Sequence, residues 1–412
     1  MASNTVQILR SLNAGVRPPV GHLYGEPYVN FADNQFGVID SNNNPRDLIL
    51  SQKYNFTHRN RLINGNFAID QRNEGALVTT HATYGPDKWK LNASPAGHLQ
   101  AARQTTAVNG PTAVATHANT ALNVTSLTAY TPAAGDNLGI LYVIEADTVG
   151  DFQFGGSSAL PLVLSFWAQV TAGPTGLYSG SLRNAAGTRS YAFTYNVAAL
   201  GTLTFYQIAI PGDTAGTWVT SGNGASLTLV FDCGSGASFQ GAPGSWQTTT
   251  GPSGFLAATG ANKLVATNGA VLQITNVQLE VGAVATPFEL LSPELNLQRC
   301  QRYYEKSFNS GTTPGTATSL GAAYYQIQGV TSAANYGAGM SYYRVSKRVS
   351  PTVTLYSPAT GASGKVRDGS NNADVTGTVA NPGSNLFSMS AQMSAPITQV
   401  FFQWHWTADA DF

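Results

Sequence analysis

Glu145, Asp147 and Asp151 are the carboxylates whose spacing best suits chemistry in this 412-residue chain. On a strand, Glu145 and Asp147 share a face. That geometry serves a pair of hydrolytic carboxylates or, with Asp151 added, the oxygen ligands of a structural calcium ion. The competing reading is a strand end that runs into a solvated turn. The six histidines, at positions 22, 58, 81, 98, 117 and 405, form no HExxH or comparable metal spacing. No G-x-S-x-G elbow and no P-loop occurs. With no acid–base pair, nucleophile or cofactor motif beyond that trio, binding without bond cleavage is expected. No cofactor is expected other than the calcium ion.

The aromatic residues point to a ligand class. Six Trp and 18 Tyr are many for a chain in which only 10% of residues are charged. Sugars present apolar C–H faces, so flat rings beside amides and hydroxyls can hold them without net charge. Trp404 and Trp406 share one face of an expected strand, with His405 on the other; Tyr324 and Tyr342 add rings on further strands. These five are the candidate ligand-binding residues. The alternative for Trp404 and Trp406 is core packing in a small domain or along a trimer axis. Trp89 and Trp167, inside strand-like runs, are expected in the core.

Composition narrows the partners. Lys plus Arg and Asp plus Glu both number 21, giving zero formal charge and no broad basic field for nucleic acid or an acidic membrane. No apolar run reaches membrane length, so no membrane insertion is expected. The two cysteines, Cys233 and Cys300, lack metal or redox spacing and read as buried small side chains, in keeping with assembly in a reducing cytoplasm.

Four regions follow along the chain. Residues 1–57 are poor in large apolar groups, with turn signals at Gly15, Pro18–Pro19, Gly21, Gly25 and Asn42–Pro45 between strand-like pieces at Tyr28–Phe31 and Phe36–Ile39. So few apolar side chains are more easily buried by several chains wrapped together. Residues 58–290 carry strand runs at Leu138–Ile144, Leu160–Val170, Ala192–Asn196, Leu203–Ile210, Leu227–Phe231 and Val271–Leu279, parted by Gly, Asn and Thr turns. This spacing predicts an antiparallel sandwich, best a jelly roll. Residues 291–306 read as a linker helix: Ser292 is an N-cap, Pro293 follows at N1, Leu297, Cys300 and Tyr304 share a face, and Arg302 and Lys306 load the last turn. Residues 307–412 read as a small β-sandwich tip with strands at Tyr324–Val330, Met340–Val345, Thr352–Leu355 and Ile397–Trp406, and with hairpins between Pro358 and Ser384. The fold class is all-β.

Several words of the chain are similar to those of tailed-phage fibre proteins. RLINGNF (61–67), YGPDKW (84–89), QLEVG (278–282), ATPFE (285–289) and CQRYYEK (300–306) resemble, in order, a jelly-roll carbohydrate-binding-like module of such fibres. GEPYVNFADNQFGVID (25–40) resembles the start of fibres and tropism determinants, where the fibre attaches to the particle. PTV (351–353) and ADADF (408–412) resemble words of fibre tips. The resemblance implies a virion tail fibre or spike, a homotrimer docked to phage particle proteins through residues 1–57, that binds host-surface polysaccharide for adsorption. It also leaves two other readings: a capsid-attached head fibre or decoration protein with the same module, and a polysaccharide depolymerase.

Overall fold

The computed structural model describes residues 9–11, 27–30, 35–39, 45–48, 58–105, 120–249, 254–328, 335–395 and 399–412. The turn signals from Gly15 to Gly25 and at Asn42–Asn44, and the expected strand ends at Val330 and Ile397, lie outside them. The chain divides into two compact units, residues 1–59 and 60–412.

The first unit contains a four-stranded sheet in chain order, Leu9–Ser11, Pro27–Asn30, Gln35–Ile39 and Pro45–Leu48. The first pair is parallel and the others antiparallel. Tyr28 and Ile39 are buried within this single chain.

In the second unit, two antiparallel sheets form a jelly-roll sandwich. One has five strands in the order Thr204–Ile210, Leu162–Val170, Val271–Val281, Ala121–Ser126 and Leu99–Gln104. The other has seven, running from Trp246–Thr248 through Arg189–Val197, Gly176–Asn184, Ala225–Asp232, Asn137–Glu145 and Trp89–Ser94 to Thr83–Tyr84. Alternation decides the faces: Leu162, Leu164, Phe166 and Ala168 point inward and meet Leu227, Leu229 and Phe231 of the opposite sheet. The Phe166 and Phe231 rings cross this space edge to face, 5.0 Å apart. Trp89 lies at the centre, with Phe67 and Tyr142 rings 4.8 and 4.9 Å away. Burial of each such ring stabilises by roughly 1.5–3 kcal/mol.

Gly176–Asn184 carries no apolar alternation and escapes a sequence reading. Its Ser179 and Ser181 are fully buried, and a Cβ at Gly180 would lie 2.2 Å from the Val230 carbonyl oxygen. Small side chains let a strand be covered on both faces.

The helix spans Pro293–Gln301, and the Ser292 hydroxyl accepts from the Leu295 amide at 3.3 Å as a side-chain cap. It is shorter than expected. Tyr304–Lys306 is a strand paired with Asp409, Ala408 and Thr407, so Tyr304 and Lys306 leave the helical face; pairing with an existing strand overrides the helical spacing.

Gln399–Asp409 is the spine of the remaining sheet. Its first half pairs with Ala323–Gln328 and Lys365–Asp368, its second half with Tyr304–Lys306 and Thr352–Tyr356. Lys365–Asp368 and Ala373–Ala380 make the expected hairpin. A second core gathers here, with Tyr343, Leu355, Phe387, Phe402, Trp404 and Trp406.

Candidate functional site

The expected carboxylate site does not form. The strand ends at Glu145, and Asp147 lies in a 3-10 turn, Ala146–Thr148, so the shared strand face is lost. Glu145 is buried and accepts from the Arg302 Nε at 3.0 Å and from the Tyr303 hydroxyl. Asp147 accepts from the Gly222 amide, and Asp151 pairs with Arg61 at 2.5 Å. Each carboxylate is held by a different partner, and the three do not converge. Among the described residues, no three His, Cys, Asp or Glu side chains are placed to hold a metal ion. Cys233 and Cys300 are both buried free thiols.

The ring candidates also separate. Trp404 and Trp406 are 1% and 6% exposed, so neither offers a face to a ligand. The Trp404 indole N–H donates to Ser341 Oγ at 3.2 Å, and Trp406 packs against Tyr343 and Phe387. His405 is fully buried on the opposite face, stacked on Phe308 with centroids 4.0 Å apart. Its Nε2 is 2.9 Å from the Thr318 carbonyl oxygen, which can only accept, so Nε2 donates and Nδ1 accepts from the Ser307 hydroxyl at 2.9 Å. Burial lowers its pKa and keeps the ring neutral. These three residues are structural, because the strand is covered on both faces along Trp404–Trp406. Tyr324 and Tyr342 remain exposed, Tyr324 stacking on Phe401 at 5.5 Å.

A different surface has the required chemistry. Along Leu162–Val170 the residues facing away from the sandwich core are Val163, Ser165, Trp167 and Gln169. Cross-strand register extends each into a row. Trp167 lies opposite Phe205 on one side and Thr275 on the other. Gln169 lies opposite Gln273, which lies opposite Asn123. Trp167 is therefore not a core residue, contrary to the sequence expectation; it is half-buried on the outer face, its ring 5.4 Å from that of exposed Phe205 and tilted 53° to it. The two rings make an angled apolar platform.

Amide side chains border it. Gln169 donates to the Gln273 side-chain oxygen, and Asn123 donates to Gln104 Oε1 at 3.1 Å. The Gln169 and Asn123 side-chain oxygens are buried and have no hydrogen-bond partner among the described residues. A buried carbonyl oxygen left so costs roughly 1–3 kcal/mol. At the other end of the face, residues 282–290 fold over the sheet: Glu280 accepts from the Thr286 amide and hydroxyl at 2.8 and 2.7 Å, and Gln207 accepts from the Ala285 amide at 3.1 Å. Glu280, tied in this way, is the only charged side chain in these rows. Apart from Glu280 the face carries no charged side chain, with rings and amides side by side. Its signal was present in LSFWAQV: Ser165, Trp167 and Gln169 alternate with Leu164, Phe166 and Ala168, so Trp167 shares its face with polar residues.

No protein-family model and no curated protein matches the chain. Among solved structures, its neighbours include a phage tailspike domain and several carbohydrate-binding modules. The enzymatically active domain of tailspike protein 4 from bacteriophage CBA120 shares 13% identity over 54% of this chain, with a TM-score of 0.29; the chain spans 22% of that protein's length. A putative sugar binding protein from Bacteroides thetaiotaomicron is 13% identical over 54% of this chain and all of its own, with a TM-score of 0.28. A family 11 carbohydrate-binding module from Clostridium thermocellum, in complex with a β-1,3-1,4-mixed-linked tetrasaccharide, is 12% identical over 51% of this chain and 98% of its own, at 0.24.

Proposed function

We propose that this chain is a glycan-binding protein of a tailed-phage fibre, holding a neutral host-surface saccharide on the outer face of its five-stranded sheet without cleaving it. The observation that carries this reading is the Trp167–Phe205 platform beside the Gln169, Gln273 and Asn123 amides, on a face with no free charge. A sugar ring laid on the platform places its hydroxyls beside the half-buried Gln273 and Asn123 side chains. The virion role is supported by the fibre-like words in the sandwich and in residues 25–40. Under this reading residues 1–57 attach to the particle and the assembly is a homotrimer.

Binding of a panel of bacterial surface polysaccharides by wild type, Trp167→Ala and Phe205→Ala tests it. Each truncation is expected to weaken binding at least tenfold with little change in melting temperature, because neither ring belongs to the sandwich core. Unchanged affinity in both variants would sink the reading. Release of reducing ends by the wild-type protein would favour the depolymerase alternative.

A further inference from the structure

A cleft of about 670 Å³ opens between the Thr83–Tyr84 end of the sandwich and the outer face of the Gln399–Asp409 spine. We propose that it is a second saccharide site, one that recognises hydroxyl groups by hydrogen bonding rather than mainly by ring stacking. The inference takes its ligand class from the preceding section but rests on a separate set of residues.

The cleft is built, not merely left over. The Arg72 guanidinium is wedged between the Tyr84 and Tyr304 rings, 4.4 and 4.0 Å from their centroids. From there one Arg72 nitrogen lies 3.1 Å from each oxygen of Asp409, which fixes that carboxylate in place. The Asp409 side chain is nevertheless 43% exposed, so its outward lone pairs face the cleft. Register sets hydroxyls beside it: Asp409 pairs with Thr352, and Thr407 with Thr354. All four residues line the cleft, with the half-buried Tyr356 ring at one side.

Charge selects the ligand. The cations lining the cleft are engaged: Arg72 by Asp409 and Asp411, and Lys90 by the Phe412 main-chain oxygen at 2.6 Å. What remains exposed is a carboxylate acceptor among threonine hydroxyls. That set accepts from and donates to vicinal hydroxyls, and with Arg72 and Lys90 already engaged it offers no unpaired cation to an acidic sugar. The volume lies within the roughly 300–1,000 Å³ of small-molecule sites.

The test uses the full chain on an array of defined neutral and uronic-acid oligosaccharides, with four proteins: wild type, Trp167→Ala/Phe205→Ala, Thr352→Val/Thr354→Val, and the combined variant. The valines keep side-chain shape, and melting temperature checks that folding is retained. Neutral oligosaccharides are expected to bind the Trp167→Ala/Phe205→Ala protein more weakly than wild type but still measurably, and that residual binding is expected to fall at least a further tenfold in the combined variant. If that protein keeps no binding while wild type binds, the cleft is not a site and the sheet-face reading stands alone. If Thr352→Val/Thr354→Val abolishes binding and the ring variants do not, the sheet-face reading fails and the cleft survives. Retention of acidic oligosaccharides only would overturn the assignment of ligand class.

Discussion

Lys88 and Asp411, 323 residues apart, meet at 2.7 Å with side chains 1% and 2% exposed. Lys88 comes from the turn that opens the Trp89–Ser94 strand; Asp411 follows the spine of the second core. Around the pair, Tyr303 lies 3.6 Å from the ammonium and Phe412 4.9 Å. Arg348 donates to the main-chain oxygens of Ala410 and Asp411 at 2.8 and 2.9 Å and lies over the Phe412 ring. One short segment, Ala410 to Phe412, thus fastens the second core to the sandwich, with the Lys88–Asp411 charges removed from water.

Removing one partner of such a pair leaves the other charge buried alone. Asp411→Asn is expected to destabilise the protein by about 3–5 kcal/mol. Lys88→Met/Asp411→Asn should cost less than the sum of its single changes. Urea unfolding of the four proteins measures the coupling; additive effects would mean that the pair does not act as a unit.

Truncation after Lys306 removes the same carboxylates from Arg72 and Lys88. A fragment of residues 58–306 should melt at least about 6 °C below the longer chain, from the loss of roughly 3 kcal/mol or more. Adding Lys88→Met to the fragment should recover part of that. An equal melting temperature for fragment and full chain would show that the seam contributes nothing.

Acid should stabilise this protein over a defined window. Burial pushes the Asp87 and Asp232 carboxyls up to about 6, even though Arg72 and Gln71 act against it at Asp87 and the Ser235 side chain and amide at Asp232. A carboxyl whose folded value lies above its unfolded value near 4 holds its proton more readily in the folded state. The contribution of these two carboxyls therefore rises as pH falls from about 7 to 4, while the buried His405 ring, held below its ordinary value, acts against it as pH falls through about 6.5. Asp411 works the other way: burial raises it, but Lys88 and Arg72 outweigh this and hold it below the usual range. Its contribution is present above about pH 4 and lost as pH falls through its folded value. The melting temperature is expected to climb between pH 7.5 and 5.5, with a shallower slope in Asp87→Asn/Asp232→Asn. An equal pH slope in wild type and Asp87→Asn/Asp232→Asn would contradict the assignment.

What the sequence revealed followed local rules. Ser292 and Pro293 mark a helix start through capping chemistry confined to one turn, and Val271–Val281 shows itself by alternation. What it hid depends on distant partners. Tyr304 became a strand residue because Asp409 lies beside it, and Gly176–Asn184 is a strand because small side chains fit between two coverings. The charged seam involves residues 72, 88, 409 and 411, which no spacing rule connects. The outward place of Trp167 is legible only from its neighbours: its size and its strand suggest the core, while its alternation with Leu164, Phe166 and Ala168 puts it beside Ser165 and Gln169 on the other face.

Trp404 gives the sharpest contrast with Trp167. Both lie on strands, and both are large rings next to amide-bearing residues. Trp404 is enclosed within the second core and its indole N–H is satisfied by Ser341. Trp404→Ala should leave a cavity and cost about 3–5 kcal/mol, whereas Trp167→Ala, on a half-buried outer position, should cost far less. The binding effects should run in the opposite order. At a temperature where Trp404→Ala remains folded, its saccharide affinity on the sandwich face should match wild type, while Trp167→Ala loses at least tenfold. Tryptophan fluorescence separates the two: ligand should perturb emission in Trp404→Ala and leave it nearly unchanged in Trp167→Ala. Loss of affinity in folded Trp404→Ala would return the binding site to the second core.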